Sequence, residues 1–245
     1  MNLKYENQKY KQGFQYIIGC DEVGKGSLAG PVVACAVILD CARMSKNDKN
    51  LMGQIKDSKL LTPTKREKLS IFIKSSSLAW AMAEVYQETI DKINIHNATL
   101  LAMKKAAEKV LGQVSSQTAN ILAAVDGKFV ISGLNPRTRR PSSSIAKCKR
   151  STTGLRCGTP PRYSSRLRVS QEAIVDGDNK ILSIAAASIL AKVHRDNLMR
   201  RMHQKYPIYN FAQHKGYGTL HHREMIIKHG ISPVHRLTFC KNLAV

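Results

Sequence analysis

Asp21 and Glu22 stand side by side at the end of the apolar run Tyr16-Ile17-Ile18-Gly19-Cys20, and Val23-Gly24-Lys25-Gly26-Ser27-Leu28-Ala29-Gly30-Pro31 follows. Neighbouring carboxylates repel, so such a pair at the end of a buried strand costs free energy unless a cation, a proton or a basic partner compensates. Adjacent residues of a regular strand point to opposite faces. The two acids are therefore expected to share a site only where the strand breaks, a break that Gly24 and Gly26 supply. Ile121-Leu122-Ala123-Ala124-Val125 likewise ends in an acid and a glycine, Asp126-Gly127, and Asp178 lies just ahead of a long helical stretch. Hard divalent ions such as Mg²⁺ and Mn²⁺ take oxygen ligands, and two ions on one rim of acids clamp the attacking and leaving oxygens of a phosphodiester. The chemistry implied by Asp21, Glu22, Asp126 and Asp178 is phosphoryl transfer to water. A lone Asp-Gly is ordinarily a turn former. The set rises above that reading because the placement repeats in a chain with 17 Asp+Glu against 39 Lys+Arg.

Two other chemistries are set aside. Gly19 to Gly26 nearly spells a phosphate-binding loop, but Gly26 stands where that loop needs Ser or Thr, and two acids would face the phosphate. His214 and the pair His221-His222 have no Cys or Asp at zinc-ligand offsets. His235-Arg236 near the C-terminus is expected to face nucleic acid.

The elements that must position the acids are visible as patterns. Tyr16–Cys20 and Val32–Leu39 read as strands, joined as a hairpin by the Gly-rich connection, with Leu78–Val85 and Ile121–Val125 as further strands. Residues 128–131 read as strand after Asp126. Helices are expected over Thr64–Ile73 behind Thr62-Pro63, over Asn97–Leu111 with Asn97 as N-cap, over Ser183–Tyr206 and over Glu224–His229. The small residues opening the Ser183 helix let it pack closely on a sheet.

At 245 residues with 43% hydrophobic residues, the chain can fill a sizeable core. A formal net charge of +22 implies a polyanionic partner, nucleic acid before an anionic membrane. Neither a signal-peptide core nor a membrane-length apolar run is present, so a soluble, cytoplasmic protein with no membrane partner is expected. Six scattered cysteines form neither a disulfide framework nor a CxxC pair. Residues 134–170 are rich in Arg, Ser, Thr and Pro, carry no Asp or Glu and show no apolar period. They read as a disordered basic insertion, and they supply much of the excess charge.

With those residues in view, the chain resembles bacterial ribonuclease HII. The resemblance rests on Gly19 to Val33, Asp57-Ser58-Lys59-Leu60-Leu61, Ile93-Asn94-Ile95 with Ala98-Thr99-Leu100, and Val125-Asp126-Gly127. It continues through Gly177-Asp178, Ser183 to Val193 with Arg195-Asp196, and His214-Lys215-Gly216-Tyr217-Gly218-Thr219. It implies an α/β fold, a ribonuclease H-like mixed β-sheet flanked by helices with a C-terminal helical part, over residues 14–245. It also implies a monomeric endonuclease that uses Mn²⁺ or Mg²⁺ on the RNA strand of RNA–DNA hybrids. Incision beside ribonucleotides embedded in duplex DNA, 5′-phosphate products and a part in DNA repair belong to the same implication.

By position in the motifs, the resemblance implies that Asp21, Glu22, Asp126 and Asp178 are the metal-binding acids. Gly24-Lys25-Gly26 corresponds to a family Gly-Arg-Gly that approaches the 2′-OH through its backbone, and Tyr217 to a tyrosine that stacks on the neighbouring deoxyribose. Glycines permit that approach, and the 2′-OH is what distinguishes RNA from DNA. Lys25 keeps the charge of Arg but loses its planar fork. Lys59, Lys192, Arg195 and Lys215 are candidate phosphate contacts.

The pattern is broken between Asp126 and Asp178, where the family has a short connection. A surface insertion costs closure free energy that grows only logarithmically with length. The segment reads as a lineage-specific insertion or as two compensating frameshifts, which reading the encoding DNA in the other frames distinguishes. Two functions therefore compete: a metal-dependent endoribonuclease, and a catalytically impaired nucleic-acid-binding protein.

Overall fold

The apolar, β-branched runs pair into a five-stranded sheet of order β3-β2-β1-β4-β5 in a computed structural model that describes residues 3–40, 45–55, 61–114, 119–134 and 167–243. The strands are β1 (Tyr16–Val23), β2 (Val32–Leu39), β3 (Ser77–Val85), β4 (Asn120–Asp126) and β5 (Arg168–Ile174). β1, β2 and β3 run antiparallel in sequence order, whereas β4 lies parallel to β1 and β5 parallel to β4. β2, with the sequence VVACAVIL, is buried along its whole length, as a strand covered on both faces must be.

Helices close both faces. α4 (Gln87–Leu111) packs over Ile18, Val32, Ala34 and Val125 on one side; α3 (Pro63–Ser76) and α6 (Leu182–Lys205) cover Val33, Cys35 and Val37 on the other. The Thr62 hydroxyl accepts the Lys65 N–H at 3.4 Å and starts α3, with Pro63 in its first turn. In α4, Asn94 has φ 64 and its Oδ1 accepts the Asn97 N–H at 3.0 Å. The cap of the second half of that helix is thus Asn94 rather than Asn97, and the helix begins ten residues earlier than the apolar period alone indicates.

α6 lies against β1 as closely as a helix can. A Cβ built on Gly19 would stand 2.2 Å from the Ser183 carbonyl carbon. Gly19→Ala is therefore expected to push the first turn of α6 off the sheet and to cost about 1–3 kcal/mol, as overpacking does. A urea midpoint equal to that of the unchanged protein would contradict this close approach. From a short N-terminal helix, α1 (Lys4–Lys11), buried Glu6 accepts the Ser183 N–H at 2.9 Å and caps that same turn.

α2 (Lys46–Gly53) and α5 (Gly177–Lys180) are short. The C-terminal part comprises α7 (Phe211–His214), α8 (Leu220–His229) and α9 (Leu237–Cys240) around Met199, Phe211, Ile226 and Cys240. It clasps the connection between β1 and β2 through bridges Ser27↔Tyr217 and Ala29↔His235. The hairpin expectation thus holds for strand pairing, but the connection is shaped by the far end of the chain.

Two strand expectations change. Residues 128–131 are turn and loop, not strand. The strand that returns toward Asp178 is β5, which begins at Arg168, inside the interval read as insertion. Paired residue for residue with β4 from Asn120↔Arg168 to Asp126↔Ile174, it brings the chain back beside Asp126. The expected disorder of the basic segment concerns residues that lie, for the most part, outside those described. Among the described residues no helix is long and apolar enough to cross a membrane.

Candidate active site

β1 does not break at the acids. Asp21 and Glu22 both lie in regular strand, paired with Cys35 and Ala34, and the chain turns only at Gly24, whose φ is 92. Pairing of β1 with β4 ends at Cys20↔Val125, so one flank of β1 is open beyond that point, where Asp21 and Glu22 lie. β4 ends there too, at Asp126. Carboxylate oxygens of Asp21, Glu22 and Asp126 consequently lie within 4.8 Å of one another.

Asp178 stands apart from this tight group. It is buried in the first turn of α5 and lines the same cleft, of about 600 Å³, as the other three acids. Its place is set by Gly177, whose N–H donates to Asp126 Oδ1 at 2.7 Å and whose Cβ, if it had one, would lie 2.7 Å from Ile184 Cδ1. β4 and α5 are thus pinned together at the cleft, despite the long chain between them.

The electrostatics favour a cation. Burial first, then the Glu22 carboxylate, push the Asp21 pKa well above the ordinary carboxylate range, against hydrogen bonds from Ser188 and the Glu22 N–H that lower it. The Glu22 N–H donates to Asp21 Oδ1 at 2.7 Å, and Lys25 Nζ lies 2.6 Å from Glu22 Oε1. Glu22 Oε2 is buried with no hydrogen-bond partner. An all-oxygen donor set with a crowded, desolvated carboxylate pair and an orphaned acceptor fits a hard divalent ion. The pattern that delivered these acids was legible; Ser188 was not singled out, although a serine inside an apolar helix start must find a buried partner.

The rim carries Arg66, Lys192 and Tyr217. Lys192 Nζ pairs with Asp196 at 2.8 Å, so this candidate phosphate contact is tethered by a carboxylate one turn away. Tyr217 is 37% exposed, with the Arg195 guanidinium 5.5 Å from its ring centroid. Lys59 lies outside the described residues. Gly26 has open space around it, as a position that approaches a ligand requires.

Three basic residues expected to face nucleic acid do something else. Arg195 and Arg236 are fully buried. Arg236 donates to the carbonyls of Gly24 at 2.7 Å, Lys25 at 2.9 Å and Gly30 at 2.9 Å. Arg195 donates to Ser27 Oγ at 2.8 Å and to the carbonyls of Ala29, Pro31 and Lys215 at 3.2, 3.0 and 2.8 Å. Burial, then the charge of Arg195, pulls the Arg236 pKa down to about 9. The two guanidiniums hold the shape of residues 24–31, with their planar forks matched to several carbonyls at once. Lys215, the third, folds its ammonium back onto the Ala212 carbonyl.

The histidines are also interior. His222 and His235 are buried, bonded to each other at 3.0 Å, and His214 stacks on His222 with ring centroids 4.2 Å apart. Burial lowers the pKa of both His222 and His235 to about 4. A histidine that titrates lower folded than unfolded makes the unfolded state the stronger proton binder between those pKa values. Stability is therefore expected to fall as pH drops from about 6.5 toward 4, and to fall less in a His222→Asn variant, as denaturant titrations at several pH values will report.

Known proteins resemble this chain along nearly its whole length. The profile of the ribonuclease HII family matches residues 18–135 and 155–242. Ribonuclease HII of Caldicellulosiruptor bescii is 38% identical over 241 residues, covering 98% of this chain and 94% of that protein. Ribonuclease HII of Chloroherpeton thalassium is 40% identical over 239 residues, covering 98% and 96%. Among solved structures, Bst-RNase HIII in complex with Mn²⁺ superposes with a TM-score of 0.65 at 17% identity, covering 96% of this chain and 70% of that one, a likeness of fold.

Proposed function

The chain belongs to the ribonuclease HII family and is a ribonuclease H endonuclease, and from that premise we propose that it cuts the RNA strand of RNA–DNA hybrids and incises at ribonucleotides embedded in duplex DNA, leaving 5′-phosphates. The observation that carries this reading is the convergence of Asp21, Glu22 and Asp126 oxygens within 4.8 Å at the floor of a cleft that Asp178 also lines. These four acids would hold Mn²⁺ or Mg²⁺, and a relative in fold, Bst-RNase HIII, takes Mn²⁺. Bound there, a divalent ion would supply Lewis acidity for hydrolysis of the phosphodiester.

The remaining roles fall to the chain itself. Gly24-Lys25-Gly26, its carbonyls held from below by Arg236, presents backbone to the minor groove where a 2′-OH is exposed. Lys25, half-exposed with its ammonium on Glu22, reaches phosphate from there. The Tyr217 ring, backed by Arg195, offers a stacking face to the sugar of the flanking deoxynucleotide.

The test is a labelled duplex with one embedded ribonucleotide, incubated with Mn²⁺, with Mg²⁺ or with chelator. One-sided incision with a 5′-phosphate product in either metal and none after chelation is expected. Tight binding of the duplex without cleavage in either metal would replace this reading by that of a non-catalytic binder, whose long connection between Asp126 and Asp178 has cost it activity.

A further inference from the structure

Behind Tyr217 lies a chain of side chains to which the reaction gives no part. Tyr217 O accepts from His222 Nδ1 at 2.9 Å; His222 Nε2 meets His235 Nε2 at 3.0 Å; His235 Nδ1 meets Ser232 N at 2.9 Å and Ser232 Oγ at 2.8 Å. The proton positions follow from the two ends alone. A carbonyl only accepts, so His222 carries its hydrogen on Nδ1. A backbone N–H only donates, so His235 Nδ1 is bare and its hydrogen sits on Nε2. The middle contact is then a His235 Nε2–H donated to a bare His222 Nε2, and both ends agree on it. Each ring is neutral and each has one tautomer.

Aromatic rings pack around both histidines. Phe211, itself fully buried, lies 5.5 Å from the His222 ring and 5.6 Å from the His235 ring, and Tyr209 packs edge-on to His235 at 4.8 Å. Asparagine in place of His222 would keep a donor to Tyr217 but is too short to set its amide oxygen where Nε2 meets His235, and phenylalanine would lose both contacts. A relay of one-directional hydrogen bonds between rigid rings fixes an orientation more tightly than a single contact does.

We propose that His222 and His235 are positioning residues for substrate recognition: their ordered hydrogen-bond chain, anchored at Ser232, holds the Tyr217 backbone and so aims its ring at the nucleotide flanking the cut. This rests on the stacking role assigned to Tyr217 under the proposed function. The chain links the α8 segment, the segment before α9 and the aromatic of the rim, whose carbonyl also accepts the Thr219 N–H at 2.9 Å.

The experiment measures KM and kcat on a duplex with one embedded ribonucleotide for His222→Phe, His222→Asn, Tyr217→Ala and the double variant His222→Phe/Tyr217→Ala. His222→Phe is expected to raise KM by about 10- to 100-fold, the scale of a small misplacement at a site. His222→Asn, which still donates to Tyr217 but is cut off from His235 and Ser232, should recover only part of that loss. The double variant should be no worse than Tyr217→Ala, since coupled residues are not additive. Unchanged KM in folded His222→Phe beside a weakened Tyr217→Ala, or losses that multiply in the double variant, would overturn the inference alone. Unchanged KM in Tyr217→Ala would instead remove the stacking role and the inference with it. Should His222→Phe fail to fold, nitrogen-15 spectra of the unsubstituted protein decide together with His222→Asn. An Nδ1–H on His222 and an Nε2–H on His235, with a raised KM in the variant, support the chain; the opposite tautomer on either ring, or a near-normal KM in the variant, overturns it.

Discussion

Asp126→Asn is expected to lower the rate of incision by about 10²–10³-fold, the scale of losing one charged group that stabilises the transition state, while leaving the protein folded and able to bind a hybrid. The substitution is chosen for what it keeps. Asparagine retains an oxygen to accept the Gly177 N–H, which now donates to Asp126 Oδ1 at 2.7 Å, so the tie between β4 and α5 survives. What it removes is one of three carboxylates whose oxygens lie within 4.8 Å of one another. Asp178 lines the same cleft but stands outside that group. Asp178→Asn should therefore be the milder change, nearer the about 10–100-fold typical of groups that support a metal site from its margin. Single-turnover cleavage paired with a binding assay reads both. Wild-type cleavage by Asp126→Asn would end the case for the acidic cluster.

Removing the Arg236 guanidinium is expected to have the largest effect on stability. It lies wholly buried and donates to the carbonyls of Gly24, Lys25 and Gly30. Arg236→Ala leaves those acceptors without their donor and opens a cavity behind the loop. Losing one side of a buried, charge-assisted network costs about 3–5 kcal/mol. For a chain of this size that is a fall of roughly 10 °C in Tm. Arg236→Lys keeps the charge but offers no planar fork to several carbonyls at once, so it should rescue only part of the loss. An exposed cation on α8, Lys228, serves as the control, since its removal should leave Tm within error. Thermal melts in chelator read stability free of any bound ion; an Arg236→Ala melt matching the unsubstituted protein would show that the loop holds itself.

These two residues mark where reading the chain as a string succeeds and fails. Asp126 was legible because its signal is local: an apolar run that ends in an acid and a glycine needs only neighbouring residues to be recognised. The strands Tyr16–Val23 and Val32–Leu39, and α6 with its small-residue opening, were legible for the same reason. Arg236 was misjudged as facing nucleic acid because its burial depends on partners 206 to 212 positions away. Nothing in the dipeptide His235-Arg236 says that Gly24 and Gly30 will arrive opposite it. Arg195 and the paired histidines share that cause: charge and hydrogen-bonding capacity read as surface until the fold supplies an interior use for them.

By itself, the order of residues determined which acids end strands, where the sheet and its long helices run, and the family to which the chain belongs. Only the tertiary structure decided that Asp21 and Glu22 converge within an unbroken strand, through an edge that β4 leaves open. It alone set Asp178 beside rather than inside the tight group, and drew β5 out of the basic interval as the strand that returns to the cleft. The physical reason is one of range. Periodicity and turn chemistry act over a few residues, whereas burial, register between strands and the direction of a guanidinium are settled by contacts across the whole chain.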